Sequence, residues 1–166
     1  RVITFPGNVA LRPTPNRVRE TVFNWLGQDL SDKSCLDLFA GSGAMGIEAA
    51  SRGSEHVVMV ESDYRAYGAL QAGIQKLKAN QVELVMMDAL KFITFDKRLF
   101  DVIFLDPPYQ LRLLPKILNL LSPHITKNSL IYIETGNFFK PNADWLVWRS
   151  GQAGKVYYQL LKYEKN

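Results

Sequence analysis

Asp37-Leu38-Phe39-Ala40-Gly41-Ser42-Gly43-Ala44-Met45-Gly46 follows an apolar run and opens a helical pattern. Its glycines fit G-x-G-x-x-G. They permit a tight turn, a close approach of ligand to backbone, and close packing of the following helix on the sheet. Glu61 closes the next apolar run, His56-Val57-Val58-Met59-Val60, and lies 20 residues beyond Gly41, where an acid can receive ribose hydroxyls. Alone, this pattern equally suits a nicotinamide cofactor. Two further acids argue against that: Asp37 sits before the loop, and a third apolar run, Val82 to Met87, ends in Asp88. A pyrophosphate is repelled by an extra carboxylate, whereas the amino group and sulfonium of S-adenosylmethionine are attracted by one. As isolated residues, Asp37 and Asp88 also read as a core-edge hydrogen-bonding group and a helix cap.

Working outward, strand-like runs at Cys35 to Phe39, His56 to Glu61, Val82 to Asp88, Phe100 to Asp106 and Ser129 to Glu134 alternate with helical patterns. The helices are expected at Gly46 to Arg52, Tyr64 to Leu77 and Leu111 to Leu121. This alternation predicts an α/β fold, with a mostly parallel sheet, helices on both faces, and a ligand at the carboxyl ends of the strands. Asp37, Glu61, Asp88 and Asp106 all fall at such ends. After Glu134, Trp145-Leu146-Val147-Trp148 and Val156-Tyr157-Tyr158-Gln159-Leu160-Leu161 flank a stretch from Gly151 to Gly154, predicting an antiparallel hairpin whose aromatics serve packing.

Asp106-Pro107-Pro108-Tyr109 follows Val102-Ile103-Phe104-Leu105. Pro108 lacks a backbone donor and pushes Pro107 toward an extended conformation, so the Pro107 carbonyl can stay outside a helical ladder. An exocyclic amine on a nucleobase offers two N–H donors. Asp106 and the Pro107 carbonyl are two acceptors, and Tyr109 is a stacking face. Read structurally, the same residues make a rigid turn with Asp106 as a cap; read chemically, they grip a planar amine.

With 166 residues and 47% hydrophobic content, the chain supports one sound core, so residues 1–166 are expected to form a single domain: a basic segment and helix over 1–27, then a core over 34–166. A formal charge of +4 favours an anionic partner. The single cysteine, Cys35, opens a strand and reads as a buried hydrophobe. His56 and His124 lack neighbours at ligand spacing, so no metal is expected. No apolar run reaches membrane-span length and nothing reads as a signal peptide, which makes the cytoplasm the expected location. The chain opens on Arg1, so its natural start is expected to lie upstream or to have been processed.

Near the amino terminus, Arg12-Pro13-Thr14-Pro15-Asn16-Arg17-Val18-Arg19-Glu20 leads into a helix that Thr14 is expected to cap, with Pro15 at its first position and Val18, Val22, Trp25 and Leu26 as its buried stripe. Arg12, Arg17 and Arg19 crowd the positive end of that helix, where they gain nothing locally. They suit either an anionic partner or pairing with nearby acids. Arg112 and Lys116 extend the same rim.

Together, Asp37 to Gly46, Asp106 to Tyr109 and Arg12 to Leu26 resemble the bacterial methyltransferases that modify the N2 amine of a guanine in 16S ribosomal RNA. The likeness spans nearly the whole chain, and its most specific part is Arg-Pro-Thr followed by Arg-Val-Arg-Glu-Thr-Val-Phe-Asn-Trp-Leu. The resemblance implies a Rossmann-like, seven-stranded sheet with the last strand antiparallel, S-adenosylmethionine as methyl donor, and a guanine of 16S rRNA in the small ribosomal subunit as substrate, with a monomer expected. By matching motifs, Asp37, Gly41 and Gly43 line the methionine part of the cofactor, Glu61 the ribose and Asp88 the adenine, with Phe39, Ala40, Ser42, Ser62, Ala89 and Asp106 completing the pocket. Asp106, Pro107, Pro108 and Tyr109 hold the target amine; Arg12, Thr14, Arg17, Arg19 and Arg112 face the RNA. Family members usually carry a further basic segment upstream of Arg1. Amino-group methylation of adenine N6 or cytosine N4 in DNA is the neighbouring alternative.

Overall fold

Runs such as Val57-Val58-Met59-Val60 and Val102-Ile103-Phe104-Leu105 are apolar on consecutive residues, so they are stable only where both strand faces are covered. The computed structural model describes residues 14–107 and 110–164 and places these runs at the centre of a sheet. Its elements are α1 (Asn16–Leu26), β1 (Ser34–Asp37), α2 (Ala44–Ser51), β2 (His56–Glu61), α3 (Tyr64–Leu77), β3 (Val82–Met86), α4 (Ala89–Phe95), β4 (Val102–Leu105), α5 (Gln110–Leu120), β5 (Leu130–Thr135), β6 (Trp145–Ala153) and β7 (Val156–Tyr163). Among the described residues, seven strands form one sheet in the order β3-β2-β1-β4-β5-β7-β6. The first five are mutually parallel, and β7 runs antiparallel to both β5 and β6. The predicted α/β class and antiparallel closing strand are therefore present. The chain winds outward from β1 to β3, then returns to add β4 on the other side of β1, which creates a crevice at the carboxyl ends of β1 and β4.

Strand alternation divides the core. Leu36, Val58, Val60, Ile103, Leu105, Ile131 and Ile133 face α4 and α5. Cys35, Val57, Met59, Val102, Phe104, Tyr132 and Leu160 face the other layer, where α1 inserts Val18, Val22 and Phe23. The Phe23 ring lies 5.8 Å from that of Phe104, and Trp25 stacks on Tyr158 at 5.5 Å. Phe23 is thus the deep anchor of α1, and the predicted stripe shifts by one position, with Trp25 and Leu26 half-buried at its rim. Cys35 is buried as expected, and exclusion from water pushes its thiol up to about 11, which keeps it un-ionised and unreactive.

Several boundaries differ from expectation. Pro15 rather than Thr14 is the residue before α1: its extended backbone (φ −58°, ψ 143°) keeps it out of the helix, while its carbonyl accepts the Arg19 N–H at 3.0 Å. Helix α2 begins two residues before Gly46, because Gly43 in the left-handed region (φ 80°) starts it. Helix α4 was not foreseen; its seven residues are too few to display a period. The closing hairpin turns at Gly154-Lys155 alone. Gly151 belongs to β6, where a side chain would run into the Tyr158 ring.

Candidate active site

The crevice opens into a cavity of about 560 Å³ lined by the ends of β1, β2 and β4, the start of α4, and Thr14. Its first wall is built by short-range geometry. Asp37 ends β1, and its Oδ2 accepts the Gly46 N–H at 3.1 Å, tying the strand to the first turn of α2. This close approach explains the third glycine: a side chain at Gly46 would lie 2.9 Å from Met59 Cγ and Sδ. Gly41 also has positive φ, at 53°. Its N–H donates to Glu61 Oε1 at 2.8 Å, while Glu61 Oε2 accepts the Asp63 N–H at 2.8 Å. Each carboxylate oxygen has a second lone pair, so these bonds orient Glu61 and still leave it able to accept from a ligand. Asp88 caps α4 by accepting the Lys91 N–H at 3.1 Å.

Asp37 is the electrostatic centre of this wall. Burial pushes its carboxyl up from 3.8 to about 7; the Gly46 N–H opposes the shift and the negative Glu61 adds to it. It is therefore poised to give up its proton near neutral pH, and a cation arriving beside it favours the charged form.

The second wall is built across strands. Asp106 and Pro107 follow β4 and line the same cavity, together with Phe104, Leu105, Leu113 and Tyr132. The Tyr132 hydroxyl donates to Glu134 Oε1 at 2.8 Å, and Glu134 is also hydrogen-bonded to Thr14 and to Asp106. Thr14 therefore turns inward to a carboxylate, which is why it does not cap α1. Sequence reasoning passed over Tyr132 and Glu134, although an acid at the end of β5 carries the same signal as those that end β1 and β2.

The predicted residues Asp37, Phe39, Ala40, Gly41, Ser42, Glu61, Ser62, Asp88, Ala89, Asp106, Pro107 and Thr14 meet at this cavity; Gly43 lies one residue behind its lining. Arg19 instead lines a neighbouring hollow of about 550 Å³ between α1, α2 and the end of α3, and its Nε lies 3.4 Å from Glu48. Arg17 and Arg112 are exposed on α1 and α5. Arg12, Pro108 and Tyr109 lie outside the described residues. Among the described residues no group of three or more His, Cys, Asp or Glu is placed to hold a metal ion, and no helix is long and apolar enough to cross a membrane.

A parallel sheet in this order, closed by an antiparallel strand and bearing a glycine loop and acids at its switch point, is the architecture of the class I S-adenosylmethionine-dependent methyltransferases. The model of the family described as "Conserved hypothetical protein 95" matches residues 1–162, and the chain belongs to that family. It is 36% identical over 169 residues to the ribosomal RNA small subunit methyltransferase D of Escherichia coli K12, covering 99% of this chain and 85% of that protein. The protein of the same description from Buchnera aphidicola of Acyrthosiphon pisum is 40% identical over 137 residues, covering 81% of this chain and 72% of that one. A solved Escherichia coli structure described as "Putative methyltransferase yhhF" superposes with a TM-score of 0.87 at 37% identity, covering 99% of this chain and 92% of the other. An RNA methyltransferase from Salinibacter ruber in complex with S-adenosylhomocysteine shares the fold, with a TM-score of 0.76 at 17% identity, covering 93% and 95% of the two chains.

Proposed function

We propose that this chain transfers a methyl group from S-adenosylmethionine to the N2 amine of a guanine in 16S ribosomal RNA, within an assembled or assembling small subunit. It acts as a monomer, as one folded unit, in the cytoplasm where that RNA is made. The observation that carries the reading is the meeting, in one cavity, of a glycine-loop wall bearing Asp37, Glu61 and Asp88 with the Asp106-Pro107 rim. Kinship with small-subunit rRNA methyltransferases supplies the class of RNA.

The residues fit the cofactor. Gly41 and Gly43 give backbone access at positive φ, Asp37 suits the amino-acid end with its cationic groups, Glu61 the ribose hydroxyls, and Asp88 with Ala89 the adenine. Phe39, Ala40, Ser42 and Ser62 fill the wall between them. When bound, S-adenosylmethionine supplies a methyl carbon made electrophilic by the adjacent sulfonium. The guanine amine is a weak nucleophile because its lone pair is delocalised into the ring. Asp106 and the Pro107 carbonyl hold its two hydrogens and aim the nitrogen, and this positioning supplies much of the acceleration. Pro108 and Tyr109, outside the described residues, complete the grip in this reading: proline has no backbone donor, and the tyrosine ring offers a stacking face to a base swung out of the RNA fold. Arg12, Arg17 and Arg112 steer the phosphate backbone toward the cavity.

The deciding experiment offers labelled S-adenosylmethionine with unmodified small-subunit particles, free 16S RNA and duplex DNA, followed by nucleoside analysis. N2-methylguanine from particles or rRNA is the expected product. Methylated adenine or cytosine in DNA would overturn the substrate assignment.

A further inference from the structure

Strands β4 and β5 are paired with Leu105 opposite Ile133, so the next residue of each, Asp106 and Glu134, stand side by side at the carboxyl edge of the sheet. Alternation puts Ile103, Leu105, Ile131 and Ile133 on one face and turns Phe104, Asp106, Tyr132 and Glu134 to the other. The two acids differ in surroundings: Asp106 is exposed at the cavity, whereas Glu134 is only 9% exposed. Their side chains are hydrogen-bonded to each other. Two ionised carboxylates this close repel each other, so the pair favours holding one proton between them. Behind the pair, the Tyr132 hydroxyl donates to Glu134 Oε1 at 2.8 Å, and buried Thr14 adds a further bond.

We propose that Asp106 and Glu134 act as one carboxyl pair sharing a proton, in which Glu134, anchored by Tyr132 and Thr14, is a positioning residue that sets the orientation and proton affinity of Asp106. The proposal rests on the amine-methylation reading above and adds a destination for the proton. As the bond from nitrogen to methyl forms, the carbon–sulfur bond breaks and its electron pair stays on sulfur, which becomes a neutral thioether. The amine, positively charged at that moment, passes one proton to the ionised pair. A lone exposed aspartate is a weak base for this task. Two adjacent carboxylates bind their first proton more tightly because its arrival relieves their repulsion, and burial of Glu134 acts in the same direction. Asp106, the exposed member, then releases the proton to water. Among the described residues, the titratable groups facing Glu134 are Asp106 beyond β4, Tyr132 on its own strand and Tyr158 opposite it on β7. Burial and the nearby carboxyls push the Tyr132 phenol well up, so it remains a hydrogen-bond donor across the working range.

The competent form is the doubly ionised pair, so single-turnover methylation should rise with pH through the pair's upper titration step. In Glu134→Gln the remaining acid has no charged twin. The acid limb should move at least about one unit to lower pH while the plateau falls several-fold, a combination that simple loss of packing does not produce. A lowered plateau with an unmoved limb would overturn the proposal. A second readout does not need turnover: 13C NMR of labelled carboxyl groups in the wild-type protein, with Asp106 and Glu134 assigned by substitution. The expected result is that both carbons report the same two steps, the upper one above the ordinary carboxylate range; two independent single steps would overturn the pair. Coupled titration in a wild-type protein that methylates no RNA would uphold the pair and overturn the methyltransferase reading instead.

Discussion

The two walls of the cavity are made in different ways. On the glycine side, Asp37 is tied to Gly46 and Glu61 to Gly41 and Asp63; the acids and the loop they brace belong to one continuous β1-α2-β2 unit. On the side proposed to hold the amine, Asp106 meets Glu134, which Tyr132 and Thr14 contact in turn; these residues come from another strand and from the segment before α1. The first wall is held by bonds that close over a short stretch of chain. The second is held by contacts that exist only when the sheet and the segment before α1 are in place. A cofactor pocket can therefore be shared widely among folds of this type, while the acceptor side is free to differ with its tertiary surroundings.

If the walls have separate tasks, they should fail separately. The largest effect is expected from Asp106→Ala: turnover falls by about 10³-fold, within the range for loss of a positioned acid–base group, while S-adenosylmethionine affinity by calorimetry stays within a few-fold. An equal loss of cofactor binding would place Asp106 on the other wall and erase the distinction.

Next comes Gly43→Ala. The residue sits at φ 80°, and a side chain there would meet Leu70 Cδ2 at 2.5 Å. Left-handed strain of about 1–2 kcal/mol adds to overpacking of about 1–3 kcal/mol. Urea denaturation should show destabilisation of that order, with cofactor binding weakened and Asp106 still able to titrate with Glu134. A neutral outcome would mean that the loop is soft and that its wall does not stand alone.

Asp37 gives a smaller and more diagnostic signal. Its carboxyl holds a proton up to about 7 in the fold against 3.8 ordinarily, so between those values the unfolded chain is the form that has lost the proton. The stability this carboxyl contributes is fully present below 3.8 and is lost as pH rises toward about 7. A cationic ligand reverses the preference. Calorimetry in buffers of different ionisation enthalpy should detect about one proton released per S-adenosylmethionine bound at pH 6 and little at pH 8. Asp37→Asn should abolish that difference and lower affinity about tenfold. Proton release unchanged in the variant would remove Asp37 from the cation's neighbourhood.

The same contrast explains what could be read from the chain. The glycine loop, Glu61 at its 20-residue interval and the parallel strands are local or periodic signals, and each landed within a few residues of its place. Helix α4 escaped because seven residues are too short to show a period. Thr14 was misread as a cap because a hydroxyl before a proline and a helix is a strong local pattern. Its actual partner, Glu134, lies 120 positions away in the sequence and is visible only once β4, β5 and α1 meet. Short-range chemistry is legible in a sequence; a cross-strand carboxyl pair is not.

The smallest effect tests how far the amine side extends toward RNA. Arg17 and Arg19 stand two positions apart on α1, but the fold treats them differently. Arg19 reaches Glu48 and donates to Asn16 Oδ1 at 2.6 Å, so much of its charge is already matched within the protein. Arg17 is exposed. A phosphate contact releases counterions, and its loss makes the dependence of log affinity on log salt shallower by about 0.7–0.9. Arg17→Ala should therefore weaken rRNA binding several-fold and flatten that slope by nearly one contact. Arg19→Ala should alter the slope less, since Glu48 keeps its 2.8 Å partner Arg52 and the net gain of negative charge is shared across that pair. Equal slopes for the two variants would mean that RNA displaces Glu48 from Arg19, which would make the α1–α2 hollow part of the RNA-binding face rather than a structural brace.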